Sequence, residues 1–206
     1  MKGFKLKNSN WQKATAPQAA GAGGFTLIEL LVTLAIASVV LTAIGSVYAG
    51  LTRSYTTQNV AADVQQTMRA GIDFVVEDIM MAGLDPLDTS GAGFEAADSI
   101  SMQFTSDRDM DGEIKDTVDF ERIIYEYDEG ADTLFYKKLA ADPREPLMDH
   151  VTDLSFVYLD ANGDPTADLN DIRTVVISMT VEEDAGRGEK VNRTYATQVR
   201  CRNLGI

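Results

Sequence analysis

Cysteine and histidine each occur once in the 206 residues, as Cys201 and His150. A single cysteine excludes an internal disulfide, and near a strand-like terminus such a residue reads most simply as a small, partly buried apolar side chain. There is no second histidine, no cysteine pair and no glycine-rich phosphate loop, so metal-hydrolase and nucleotide-binding readings have little to stand on. Proline is scarce too. None of the five lies between Pro17 and Pro86, so nothing in that interval forces a helix to break. Basic residues are outnumbered, 18 against 32 acidic ones, for a net charge of −14. An acidic body lacks the cationic surface that displaces counterions from a phosphate backbone, so no nucleic-acid partner is expected.

What is present is unevenly placed. Residues 1–24 hold Lys2, Lys5, Lys7 and Lys13 and no acid, leaving 14 basic and all 32 acidic side chains to the remainder, a balance of −18. A basic start followed by an apolar run is the pattern of a chain whose amino end stays in the cytoplasm. From Phe25 to Leu51 the chain is mainly Leu, Ile, Val, Ala, Thr and Ser, with Glu29 as the one charge before Arg53. As a helix this run spans roughly 40 Å, enough for a hydrocarbon core of about 30 Å. In a secretory signal peptide the small residues follow the apolar stretch. Here Ala19 to Gly24 precede it, so a cut there leaves the hydrophobic segment on the mature chain. A carboxylate at mid-bilayer costs about 2.5–3.5 kcal/mol on insertion scales, which makes Glu29 a functional candidate by default.

Gly24-Phe25-Thr26-Leu27-Ile28-Glu29-Leu30 resembles the processing site of type IV prepilins and type II secretion pseudopilins. The resemblance implies cleavage between Gly24 and Phe25 by a membrane prepilin peptidase, an N-methylphenylalanine at Phe25, and Glu29 as an assembly residue. In such a filament the terminal amine of one subunit approaches Glu29 of another. Two charges costly to bury are then neutralised together, and removing either leaves the other unpaired. A carboxylate in the first turn also complements the helix dipole.

The helical period continues past the apolar run. Val60, Val64, Met68, Ile72, Val75 and Ile79 lie three or four residues apart, with Gln58, Gln65, Arg69 and Glu77 between them. This is an apolar stripe suited to docking on a head domain. One helix of about 55–60 residues is expected, stopping at Gly83 and Pro86. Beyond Pro86 the period becomes two. Ile100, Met102 and Phe104 alternate with polar residues, as do Leu154, Phe156 and Tyr158. Arg173–Val181 is the clearest strand, and Arg122–Tyr127, Thr133–Lys137 and Val191–Arg200 are further ones. Asp128–Asp132 and Asp160–Asp164 carry turn chemistry. The expected fold class is α+β: a long N-terminal helix, its first half membrane-spanning, packed on an antiparallel sheet head, pilin-like. The expected division is a cleaved leader (1–24), the transmembrane and assembly part of the helix (25–51), its amphipathic half (52–83) and the β-rich head (84–206).

Val76–Pro86, Tyr158–Thr166 and Val199–Leu204 resemble PilW-type minor pilins and, similarly, the J-type pseudopilins of type II secretion. Major pilins usually carry a proline in the apolar helix and a disulfide near the carboxyl end; this sequence has neither. The resemblance therefore implies a non-enzymatic minor subunit that primes or caps assembly of a type IV pilus. The alternatives are a type II secretion tip pseudopilin and a ligand-binding, adhesive tip subunit. The implied partners are prepilin peptidase, other minor and major pilins or pseudopilins, and the inner-membrane assembly platform. The implied location is the inner membrane with the head in the periplasm, then a pilus or pseudopilus at the cell envelope or surface.

Two acidic loops are candidate calcium sites. Asp107, Asp109, Asp111 and Gly112 match the first half of an EF-hand loop, but its twelfth position is Val118 where a bidentate Glu belongs, and Asp116 is a possible substitute. Asp160, Asn162 and Asp164 alternate in the same way. Both strings are equally the language of solvated turns, in which Asp and Asn cap their own backbone. Apart from possible calcium, no cofactor is expected.

Overall fold

The computed structural model describes residues 23–115, 117, 120–138 and 142–205. It resolves into two compact units, the second beginning at Gly50. A single helix, α1 (Leu27–Met81), runs for 55 residues. Within the first unit its side chains are exposed, Leu27, Leu34, Ile36, Val39 and Leu41 among them. This portion is long and apolar enough to cross a membrane. Its hydroxyls turn inward on the helix: Thr33, Thr42 and Ser46 each donate to the carbonyl four residues earlier, at 2.9, 2.7 and 2.8 Å. Each of these three hydroxyls is thereby partnered without water, as a hydrocarbon setting requires.

From Gly50 onward α1 is amphipathic, and its expected stripe is its buried face. Val64, Met68, Ile72, Val75 and Ile79 are buried and Val60 packs at the margin of the same core. Gln58, Gln65, Arg69 and Glu77 stay exposed. The helix closes as the sequence indicates. Gly83 takes a φ of +74° and donates its N–H to the Thr105 carbonyl at 2.9 Å, and Leu84 N–H returns to Met81 at 3.1 Å.

The head is antiparallel throughout, and the α+β class holds. Among the described residues it contains two sheets, however, where one was expected. β1 (Phe94–Ala97), β2 (Ser101–Thr105), β3 (Arg122–Asp128), β4 (Thr133–Lys137) and β5 (Glu145–Met148) form the first, in that order. β6 (Val151–Leu159), β7 (Thr174–Gly186) and β8 (Glu189–Arg200) form the second. The division falls at Asp149–His150, where His150 adopts a φ of +60° and the chain leaves β5 for a new sheet. Both sheets and the second part of α1 contribute to one core. Cross-sheet bonds join them: Tyr127 donates its hydroxyl to the Val151 carbonyl at 2.9 Å, and Tyr158 donates to Asp98 O at 3.0 Å. Aromatic packing runs from the helix across the first sheet, with Phe74 edge-on to Tyr136 at 5.3 Å and Tyr136 tilted on Tyr125 at 5.3 Å.

The expected strands are present, with Ile100 displaced to the turn before β2 and left exposed. β1 and β5 were not foreseen. Each is a four-residue edge strand, and β5 carries Pro146, a residue tolerated only where the ladder has a free side.

Candidate functional sites

The amino-terminal candidates sit at the start of α1. Glu29 lies in its first turn, and Thr26 precedes the helix. Their bonds are reciprocal. Thr26 N–H and Oγ1 donate to Glu29 Oε2 at 3.0 and 2.9 Å, while Glu29 N–H donates to Thr26 Oγ1 at 3.3 Å. This is a capping box, which satisfies helix-end donors that would otherwise have no partner. Glu29 therefore has a local structural role that the sequence reading did not assign. Both bonds to the carboxylate fall on Oε2, and the side chain is exposed, as are Gly24 and Phe25. A Cβ built on Gly24 meets nothing within 4 Å, so no packing in this structure demands glycine there.

The first acidic loop joins β2 to β3. Its backbone folds around Asp107, whose Oδ1 accepts Asp111 N–H at 3.2 Å and whose Oδ2 accepts Gly112 N–H at 3.0 Å. Asp109 Oδ1 also accepts from Asp111 N–H at 3.2 Å. Asp107 N–H is anchored to Leu84 O at 2.7 Å, beyond the helix end, and Thr89 donates to Gly112 O at 3.0 Å. Gly112 has a φ of +85°, and a Cβ there would lie 2.4 Å from Thr89 Oγ1, so the turn requires glycine.

Of the four sequence candidates in this loop, the fold groups only two. Asp107 and Asp109 converge with Glu121, one oxygen of each lying within 4.8 Å of the others. Asp111 is engaged elsewhere, pairing with Lys115, whose ammonium is also 3.7 Å from Glu113. Asp116 lies outside the described residues. Glu121, which the sequence reading missed, stands immediately before β3 and is fully buried, as is Asp107. Its Oε2 accepts Lys115 N–H at 2.7 Å, and its Oε1 has no hydrogen-bond partner among the described residues. A carboxylate at the head of a strand just past the loop was the available signal, but an EF-hand template counts only twelve positions.

The second acidic loop is a self-contained turn. Asp160 Oδ1 accepts the N–H groups of Asn162 and Asp164 at 2.8 and 2.9 Å, and its Oδ2 accepts Asn162 Nδ2 at 3.2 Å. Those backbone bonds hold the Asp160 carboxyl below its usual range. Asn162 and Asp164 are exposed, and among the described residues Asp160 and Asp164 join no group of three acidic, His or Cys side chains close enough to share an ion.

Residues 20–45 match the family model of the prokaryotic N-terminal methylation motif, so the chain carries the methylation motif of prepilin-like proteins at the entry to α1. Nothing among curated proteins matches the chain. Among solved structures, a type IV-like pilin from Thermus thermophilus is similar at 9% identity, covering 69% of this chain and 98% of that one, with a TM-score of 0.44.

Proposed function

We propose that this protein is a minor pilin, a structural subunit that primes or caps assembly of a type IV pilus. The observation that carries the reading is the methylation motif at the mouth of a helix whose apolar side chains are exposed. An apolar surface of that extent is stable only in a membrane or against other chains, and a filament subunit uses both in turn.

In this reading residues 1–24 are removed as a leader by prepilin peptidase between Gly24 and Phe25, and Phe25 is methylated on its new amine. Residues 25–51 hold the subunit in the inner membrane and then in the filament. Residues 52–83 carry the head, 84–206, in the periplasm. In this reading Glu29 Oε1, which the capping box leaves unused, receives the amine of a neighbouring subunit. The other partners are further pilins and the inner-membrane assembly platform. A type II secretion pseudopilus would use the same chemistry, and an adhesive tip subunit the same scaffold.

Intact-mass and amino-terminal analysis of the membrane-expressed chain, with and without a prepilin peptidase, tests the proposal. A product beginning at Phe25 with one added methyl, formed only with the peptidase, is the expected result. An uncut chain, or one cut after the apolar run, overturns it.

A further inference from the structure

We infer that Asp107, Asp109 and Glu121 form a calcium site at the β2–β3 loop, with Glu121 supplying the carboxylate that the loop's own twelfth position lacks. Turn chemistry alone accounts for Asp107 and Asp109, whose oxygens accept N–H groups of their own loop. It does not account for Glu121 Oε1, since only Oε2 of that residue accepts a loop N–H, from Lys115. A fully buried carboxylate oxygen with no donor among the described residues is expensive, because the water it lost has not been replaced. The cost is compounded by its neighbours, since one oxygen of each of the three carboxylates lies within 4.8 Å of the others and, among the described residues, none of them takes part in an ion pair. The nearby cations are committed elsewhere: Lys115 to Asp111 and Glu113, and Arg108 to Asp78 at 2.9 Å.

A hard divalent cation resolves both problems together. It gives Glu121 Oε1 a partner and cancels the mutual repulsion of the three acids. Calcium fits better than magnesium. The ligands are carboxylates on an irregular loop, Asp109 is exposed and open to water, and calcium accepts six to eight oxygens without a strict octahedron. The bound ion would tie the loop to the start of β3, next to the anchor of Asp107 on Leu84 at the helix end. This inference stands apart from the filament reading and does not depend on cleavage.

The test uses the full-length chain in detergent, stripped with EDTA and titrated with calcium chloride by calorimetry, alongside thermal melts. The expected result is one calcium per chain and a higher melting midpoint with calcium. Glu121→Gln should bind at least tenfold more weakly and lose the calcium-dependent shift. In EDTA its midpoint should equal or exceed that of the unmodified chain, because a repelled buried charge has been removed. Asp160→Asn should bind as the unmodified chain does. Should Glu121→Gln fail to fold, Asp109→Asn carries the test, since its side chain is exposed and its loss should weaken binding without harming the head. Absence of both heat and melting shift up to about 10 mM calcium, above the weakest range of natural sites, overturns the assignment. So does undiminished binding by Glu121→Gln and Asp109→Asn, or magnesium binding as tightly as calcium.

Discussion

Tyr125 donates its hydroxyl to Asp78 Oδ2 at 2.8 Å, joining β3 to the helix inside the core. The other oxygen of Asp78 accepts Arg108 Nη2 at 2.9 Å, so one carboxylate on α1 holds both the first sheet and the acidic loop. A buried acid inside an otherwise apolar stripe is tolerated because both oxygens are met. Tyr125→Phe should cost about 1.5–3 kcal/mol, the range for a hydrogen bond to a charged group. Asp78→Ala should cost more than Tyr125→Phe, because it strands both donors. Chemical denaturation of the head measures both.

The same residue makes a signed pH prediction. Burial raises the Asp78 carboxyl above its usual range, against the opposing pull of Tyr125 and Arg108. The folded chain therefore holds this proton more tightly than the unfolded chain does. The contribution is greatest in acid and is lost as pH rises from the ordinary aspartate range through the raised value. Asp78→Asn should lack this dependence. The difference in melting midpoint between the two proteins should move in favour of Asp78→Asn as pH increases, and a difference constant with pH would refute the assignment.

Cys201 is buried, and burial pushes its thiol up to about 11 despite nearby Arg173. Little thiolate forms at pH 8, and access is blocked as well. A thiol reagent should label the native chain slowly and the denatured chain completely. Rapid native labelling would place Cys201 outside the core.

Ile72 and Ile36 occupy the same helix but different surroundings, buried against the head and exposed respectively. Ile72→Ala should destabilise the head by about 2–5 kcal/mol. Ile36→Ala should leave the head's stability within about 0.5 kcal/mol of the parent. Parallel melts in detergent separate the two.

Gly83 combines positive φ with crowding, since a Cβ there would lie 2.2 Å from Leu204 Cδ2. Gly83→Ala should lose at least about 1 kcal/mol from the backbone term alone, with steric cost added. Leu204→Ala in the same chain should return the steric part but not the backbone part, which a double-mutant cycle reads directly.

Periodicity alone determined the helix, its buried face and six of the eight strands. Side chains at Val64, Met68, Ile72, Val75 and Ile79 can share a face only if the backbone is helical, and the two-residue alternation in β3, β6 and β7 is equally binding. The methylation motif was legible for a different reason: its residues are contiguous, so no folding is needed to assemble them. The edge strands β1 and β5 are too short to show a period. Which strands pair is a matter of edges and turns, so the break at His150 that makes two sheets left no pattern in the chain. Only the tertiary structure could remove Asp111 from the candidate site and bring in Glu121. A local template counts along the loop, whereas convergence of carboxylates is set by where β3 begins in space. The same holds for Asp78, which packing turns into the bond between helix and sheet.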